Sequence, residues 1–200
     1  MRRPLDIVLS APSHIAILRA LRNVSEGLSG REVARRAFIN HQTCADSLAR
    51  LESKGIVMRL GSGKNQLFRL NRDSALVRTV LAPMLEAEHK QFILMQDDLA
   101  GIMEGHCLSG LLFGSVARGE DDQASDFDLV LIVEKRDRQL PEIVRALVHR
   151  GMEKWGIRVS PIVLTRAEFI AGVGRGEPLA AAILKEGIAM CGKSPRSLVR

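Results

Sequence analysis

Two aspartates, Asp126 and Asp128, stand one residue apart at the start of a hydrophobic run, and Gly114-Ser115 closes another hydrophobic run about ten residues earlier. Side chains alternate along a β-strand, so the two carboxylates are predicted to share one face. A Gly-Ser turn with exposed backbone N–H groups and a hydroxyl can hold a phosphate. Carboxylates beside such a turn are the oxygen ligands that Mg²⁺ uses together with substrate phosphates. The spacing therefore predicts a site for a magnesium–nucleotide complex.

The SDFD segment also has a purely structural interpretation, in which Ser125 and Asp126 accept hydrogen bonds from backbone donors at the start of the strand. Taken alone, SDFD is better explained in that way. The Gly114-Ser115 turn at a matching distance favours the binding interpretation instead. With two metal ions, one would activate an attacking oxygen and the other would stabilise departing pyrophosphate.

Three short segments of this half resemble the signature of the nucleotidyltransferase superfamily, to which DNA polymerase beta belongs. They are Gly114-Ser115, Arg118-Gly119 and the run SDFDLVLIV at 125–133. The chain is most similar to the short prokaryotic branch, the minimal nucleotidyltransferases. The resemblance covers roughly residues 106–192, and the strand–turn–strand context makes it specific.

The resemblance implies a role for five residues. Gly114 and Ser115 would hold the terminal phosphates of a nucleoside triphosphate, with ATP as the expected nucleotide. Asp126 and Asp128 would be the catalytic acids and would ligate Mg²⁺ or Mn²⁺. Arg118 matches a basic position near the triphosphate.

A third carboxylate is missing from the position where the resemblance implies one. Active members carry this acid on a later strand, where it helps to deprotonate the attacking hydroxyl. Here that strand, 156–165, contains no Asp or Glu, and Ser160 occupies the position. A missing general base costs a factor of about 10² to 10⁴ in rate. Pro161 also predicts an edge strand or a bulge. Three alternative acids lie in an acidic loop that is more simply a solvated surface: Glu120, Asp121 and Asp122.

Positive charge is concentrated in the first third of the chain. Residues 1–74 carry 13 Lys and Arg against 6 Asp and Glu, a balance of +7. Residues 75–200 carry 16 against 17, a balance of −1. This asymmetry predicts a module that binds a polyanion, joined to a nearly neutral module.

The basic segment has the pattern of three helices and a hairpin. A helix is predicted over about 13–23, a second begins at a Ser29–Glu32 capping box, and a third runs from an Asn40 cap to about Lys54. Two alternating strands follow around the turn at 61–65.

This order of elements resembles a winged helix-turn-helix domain, which implies that the third helix enters the major groove of double-stranded DNA. Gln42 and Arg50 are predicted to read base edges. The predicted phosphate contacts are Thr43, Ser47, Arg59, Lys64 and Arg69. Two alternatives stay open: these residues form an ordinary solvated face, or the domain binds protein.

Residues 75–104 favour helix throughout, and Pro83 is expected either to kink one long helix or to start a second one. An apolar stripe recurs at steps of three and four residues. It could pack on the following domain or form the seam of a homodimer. Its members are Leu85, Phe92, Met95, Leu99 and Ile102.

Other features of the sequence exclude some classes of protein. No apolar run approaches the ~18 residues of a membrane helix, and the first residues are not typical of a secretory signal. The three cysteines, far apart and without a CxxC pair, argue against a disulfide framework or a zinc site and indicate a cytoplasmic protein. The five histidines show no ligand spacing.

We therefore expect two domains: an α+β winged helix over 1–74, a helical connector over 75–104, and an α/β nucleotidyltransferase fold with a small mixed sheet over 105–200. The expected function is that of a DNA-binding, transcriptional regulator-like protein whose second domain binds Mg–NTP, with weak or lost catalysis. The alternative is an active enzyme that transfers a nucleoside monophosphate to a small molecule, a protein or RNA. The sequence leaves enzymatic activity open.

Overall fold

The computed structural model describes residues 3–62, 65–120 and 125–200. The chain divides into two compact units, Met1–Gln91 and Phe92–Arg200. The domain boundaries expected at 74 and 105 stay predictions. Within the part of the chain that the structure describes, no helix is both long and apolar enough to span a membrane.

The first unit is a small helical domain with a three-stranded antiparallel sheet of order β1-β3-β2. This confirms the predicted winged helix. Its helices are α1 (Leu5–Val8), α2 (Pro12–Leu21), α3 (Gly30–Arg36) and α4 (His41–Ser53), and its strands are β1 (Leu28–Ser29), β2 (Val57–Leu60) and β3 (Leu67–Leu70).

Side-chain caps fix where α3 and α4 begin. The Ser29 hydroxyl accepts a hydrogen bond from the Glu32 backbone N–H at 3.2 Å. Asn40 Oδ1 accepts one from the Thr43 N–H at 2.8 Å. Each cap satisfies a backbone donor that the first helical turn leaves unpaired. Gly55, with φ +66°, follows α4 in the left-handed conformation that glycine adopts without strain.

The helices of this unit bury one continuous apolar core against the sheet. Because burial of apolar surface is the main favourable term in folding, this core holds α4 and the hairpin in place. Its fully buried members include Leu18, Leu21, Val33, Leu48, Leu51, Leu70, Leu81 and Leu85.

The helical segment after the hairpin is interrupted just before Pro83. A π-helical turn over Val77–Leu81 precedes α5 (Ala82–Met103). The Ala82 N–H bonds to the Val77 carbonyl, five residues back. Because proline has no N–H to donate, a wider turn at this point accommodates it. Pro83 thus lies in the first turn of α5.

The second unit contains a four-stranded sheet of order β6-β5-β4-β7. β5 and β6 are parallel and the other pairs are antiparallel, which confirms the predicted mixed sheet. β6 forms an edge, as Pro161 predicts. The strands are β4 (Ser109–Leu112), β5 (Phe127–Val133), β6 (Val159–Thr165) and β7 (Ile188–Gly192). The helices are α6 (Gly114–Arg118), α7 (Leu140–Arg150), α8 (Arg166–Arg175), α9 (Pro178–Glu186) and α10 (Pro195–Leu198), and a π turn over Gly151–Trp155 follows α7.

Alternation along β5 divides the core of this unit into two layers. Leu129 and Leu131 face the layer that contains Leu147 of α7. Val130 and Ile132 face the opposite layer, which contains Phe169 of α8 and Ile183 of α9. Asp128, an even-numbered residue of the same strand, therefore lies on the α8–α9 face, at the amino-terminal end of β5.

Candidate functional site

The turn after β4 lies directly against Asp128. Gly114, the first residue of α6, has φ +78°, a conformation that favours glycine. A Cβ added to Gly114 would collide with Oδ2 of Asp128. The Phe113 N–H also bonds to the Asp128 carbonyl at 3.1 Å. The structure thus brings the predicted phosphate-holding turn and one predicted acid together.

The surroundings of Asp128 disfavour its charged form. Burial raises the pKa of Asp128 above its usual value, the nearby Asp126 carboxylate raises it further, and Arg118 opposes both effects. Like charges placed close together favour a bound cation or a proton. A divalent cation would relieve this repulsion.

Ser160 lies beside the acid pair. In the parallel pairing of β5 and β6, its register partner is Asp128. Its hydroxyl donates a hydrogen bond to Oδ2 of Asp126 at 3.2 Å. Over residues 3–62, 65–120 and 125–200, no cluster of three or more His, Cys, Asp or Glu could hold a metal ion. The position expected for a third acid thus carries Ser160, whose neutral hydroxyl donates a hydrogen bond.

Arg158 is a site residue that the sequence reasoning missed. Its Nε lies 2.8 Å from Oδ1 of Asp126, so this carboxylate already has a cationic neighbour. The signal was present in the sequence: Arg158 precedes Ser160 by two, and period-two alternation puts both on one face of the strand. Arg158 therefore partly neutralises the charge of Asp126.

Arg118 is held by two carboxylates. Its Nε lies 2.6 Å from Glu120 and its Nη1 lies 2.7 Å from Glu186 at the end of α9. Glu120, one of the alternative third acids, is thus engaged with an arginine. Asp121 and Asp122 lie outside the described residues.

The oxygen ligands where β4 ends and β5 begins fit one Mg²⁺ shared between protein and substrate. Mg²⁺ in nucleotide sites takes one or two carboxylates and completes its shell with phosphate oxygens and water. Asp126 and Asp128 would supply the carboxylates, and Gly114 of the turn lies against Asp128. The set does not fit a second ion held by a third carboxylate, because Ser160 stands at that position.

The candidate DNA contacts on α4 are distributed over more than one face. Gln42 and Arg50 are exposed, and Gln42 Nε2 donates to Oδ1 of Asp46 at 3.1 Å. Thr43 is half-buried. The Ser47 prediction is wrong: this side chain is 5% exposed, and its hydroxyl is 2.9 Å from that of Ser13.

The reason for the Ser47 error is helical periodicity. The buried stripe of α4 follows steps of three, one and three residues and comprises Cys44, Ser47, Leu48 and Leu51. A stripe of this width faces the core of most globular helices. The narrower stripe expected from the apolar residues alone omitted the serine.

The wing of this unit is the hairpin formed by β2 and β3. Arg59 of β2 is restrained by contacts within its own domain. Its Nη2 lies 2.5 Å from Glu52, its Nη1 donates to Gln66 at 3.0 Å, and its guanidinium lies 5.3 Å from the centre of the Phe68 ring. Arg69, half-buried, donates from Nη1 to the Ser25 carbonyl at 3.1 Å. Lys64 lies outside the described residues.

A cleft of about 790 Å³ opens between the start of α4 and the wing. Arg59 and Gln66 line its wing side, and Arg31 and His41 line its helical side. Arg31 and His41 were not among the predicted contacts. Their exposure and position beside the first turns of α3 and α4 make them candidates to meet the backbone of DNA.

The elements of the first unit are those of a DNA-binding helix-turn-helix with a wing, and those of the second are a nucleotidyltransferase-type mixed sheet with a Gly-Ser turn and an Asp-x-Asp strand. Residues 11–58 match the winged helix-turn-helix DNA-binding family, and residues 110–188 match the nucleotidyltransferase domain family. The chain therefore carries a winged helix-turn-helix domain and a nucleotidyltransferase domain. No curated protein and no solved structure matches it.

Proposed function

We propose that this chain is a DNA-binding transcriptional regulator whose nucleotidyltransferase domain binds a magnesium-bound nucleoside triphosphate but transfers its nucleotidyl group poorly or not at all. The observation that carries the proposal is the register of Ser160 beside Asp128. That position would have to hold the base that deprotonates an acceptor, and a serine hydroxyl cannot do so at neutral pH.

Charge at the site supports binding without efficient transfer. The chain retains the residues that we propose hold phosphate and metal: Gly114, Ser115, Asp126 and Asp128. Arg158 pairs with Asp126 and reduces the negative charge available for a second cation. One metal ion can still orient a triphosphate, whereas two metal ions are used to activate an acceptor and stabilise the departing pyrophosphate together.

Nucleotide binding can be tested by isothermal titration of the full chain with ATP and excess Mg²⁺, followed by the other NTPs. We expect binding that Asp126→Asn or Asp128→Asn weakens at least about tenfold, because each change removes a charge-assisted ligand. Asp97→Asn, an exposed acid of α5, is the matched control and should bind normally. Equal affinity in all variants would show that Asp126 and Asp128 are not part of the nucleotide-binding site.

DNA binding is supported by the +7 balance of residues 1–74 and by the exposed Gln42 and Arg50. Gel shifts with genomic fragments should show one fragment bound about 10³-fold or more above competitor DNA, with affinity falling steeply as salt rises. Uniform affinity for every fragment would argue against a regulator. Light scattering of the free and DNA-bound chain tests the proposed homodimer, since paired winged helices read paired half-sites.

An active transferase is the second candidate, and the intact Gly114–Asp128 contact favours it. Incubation with α-labelled NTPs, Mg²⁺ or Mn²⁺ and a lysate would then label an acceptor: a small molecule, a protein or RNA. The label should disappear in Asp126→Asn and Asp128→Asn. Labelling at the rate of an efficient enzyme would contradict the leading proposal. The cytoplasm, where DNA and NTPs are both accessible, is the proposed location for either activity.

A further inference from the structure

Two cysteines that lie far apart in the sequence meet in the second unit. Cys107 precedes β4 and Cys191 lies in β7, and their sulfur atoms are 3.9 Å apart. Both side chains are half-buried, so each keeps contact with solvent. The third cysteine, Cys44, is 1% exposed in the core of the first unit.

The surroundings of the two sulfurs differ. The pKa of Cys191 falls to about 7 because the Cys107 thiol donates a hydrogen bond to its sulfur and the Gly110 N–H also favours its thiolate. The interaction with Cys191 and burial raise the pKa of Cys107. The Met103 carbonyl, 3.4 Å from the Cys107 sulfur, can only accept a hydrogen bond, so it competes with Cys191 for the single Cys107 proton and also favours a protonated Cys107. Cys191 is the better nucleophile at neutral pH.

We propose that Cys107 and Cys191 form a reversible disulfide on reaction with a hydroperoxide, which makes this pair a redox modification site. The site is separate from the acid pair and does not depend on the proposed function. Both thiols are free in the structure.

The reaction balances with hydrogen peroxide as the oxidant. The Cys191 thiolate attacks one peroxide oxygen, the O–O bond breaks, and Cys191 becomes a sulfenic acid while hydroxide leaves and takes up a proton as water. The Cys107 sulfur then attacks the Cys191 sulfur and expels hydroxide, which leaves as water with the Cys107 proton. Two thiols and one peroxide give one disulfide and two waters.

The cross-link would join residues 84 positions apart in the sequence. It would tie the segment just before β4 to β7, and the closed segment contains Gly114, Asp126 and Asp128. A link over so long a segment restricts the unfolded chain strongly, so the oxidised protein should melt at a higher temperature than the reduced protein.

The test uses the full reduced chain and one equivalent of hydrogen peroxide. Intact-mass measurement should show the loss of two hydrogen masses, peptide mapping should join Cys107 to Cys191, and dithiothreitol should restore the original mass. Cys44→Ser is the matched control and should form the same disulfide at the same rate. A chain that keeps all three thiols, or that cross-links only between molecules, would overturn the proposal.

The single variants test which sulfur reacts first. With dimedone present, Cys107→Ser should accumulate an adduct on Cys191, because no resolving thiol remains. Cys191→Ser should give an adduct on Cys107 at least about tenfold more slowly. Because a variant could fold poorly, wild-type protein is also labelled briefly with a maleimide, and Cys191 should react first. Faster reaction at Cys107 in both experiments would overturn the assignment.

Discussion

The two units place their candidate binding groups in different ways. In the winged helix, the groups are long cationic side chains on exposed surface, such as Arg50 on α4 and Arg59 on the wing. In the nucleotidyltransferase domain, they are short side chains fixed by the main chain: Asp128 by its place in β5 and Gly114 by its contact with that acid. A long side chain has several available partners, whereas a short one on a strand lies where its backbone puts it.

This difference decides how reliably a residue can be assigned from sequence. The charge balance predicts a basic surface only as a set: Arg59 is engaged by Glu52 and Gln66, and Ser47, a predicted phosphate contact, is buried. Spacing predicted that the Gly-Ser turn lies beside the strand with the two acids, and Gly114 does lie against Asp128. Substitutions in both units test this difference.

Gly114→Ala should lower the free energy of unfolding by about 2–4 kcal/mol, because the new Cβ meets Asp128 and the residue must keep a left-handed conformation. The measurement is urea unfolding. Gly176→Ala is the control: its φ is +68°, but an added Cβ finds no atom within 4 Å. It should lose only about 1–2 kcal/mol. Equal losses would show that the turn is not held against the acid.

Arg50→Ala should weaken specific DNA binding by about 1–3 kcal/mol and reduce the salt dependence, because an exposed cation of α4 is lost. Ser47→Ala should leave DNA affinity unchanged and lower stability by about 1 kcal/mol, because the hydrogen bond to Ser13 is lost. Fluorescence anisotropy over a range of salt concentrations, together with thermal melts, separates the two effects. Weaker DNA binding by Ser47→Ala at unchanged stability would reverse the assignment.

Ser160→Asp should place a third carboxylate next to Asp128 and lower stability without metal by about 0.2–1 kcal/mol through like-charge repulsion. Excess Mg²⁺ should then raise the melting temperature of this variant more than that of the wild type. Ser160→Asn is the neutral control of similar size to aspartate and should show no extra response. A variant indifferent to Mg²⁺ would mean that position 160 does not face the metal site.

Asp128→Asn tests whether the charge of Asp128 stabilises or destabilises the folded chain as the pH changes. Because the folded state raises the pKa of Asp128 above 3.8, the folded chain holds a proton that the unfolded chain has lost, and stability falls as pH rises through that window. Removing the charge should therefore stabilise the protein at pH 7, by less than about 1 kcal/mol after solvent screening. The gain should vanish below the unfolded pKa.

Urea unfolding of wild type and Asp128→Asn across pH measures this difference, with Asp97→Asn as the exposed control. Destabilisation by Asp128→Asn at pH 7 would mean that the carboxylate makes a favourable contact in the folded state that outweighs its burial and the repulsion from Asp126.

Much of the local structure was predictable from the sequence because its causes are local. The Ser29 and Asn40 caps depend on residues a few positions apart, and the edge position of β6 agrees with its Pro161. The mixed sheet followed from the resemblance to nucleotidyltransferases. The π turn before Pro83 was not predicted, because sequence periodicity does not distinguish one wider turn from a regular helix.

Local sequence was enough to predict the two kinds of domain, the excess of positive charge in the first third, and a shared face for Asp126 and Asp128. Each of these depends on composition or on spacing along one element. Three contacts became visible only in the folded chain: Arg158 pairs with Asp126, Ser47 meets Ser13, and Cys107 lies beside Cys191. Those contacts join residues on different elements, and packing of the whole domain, not local spacing, sets which side chains finally meet.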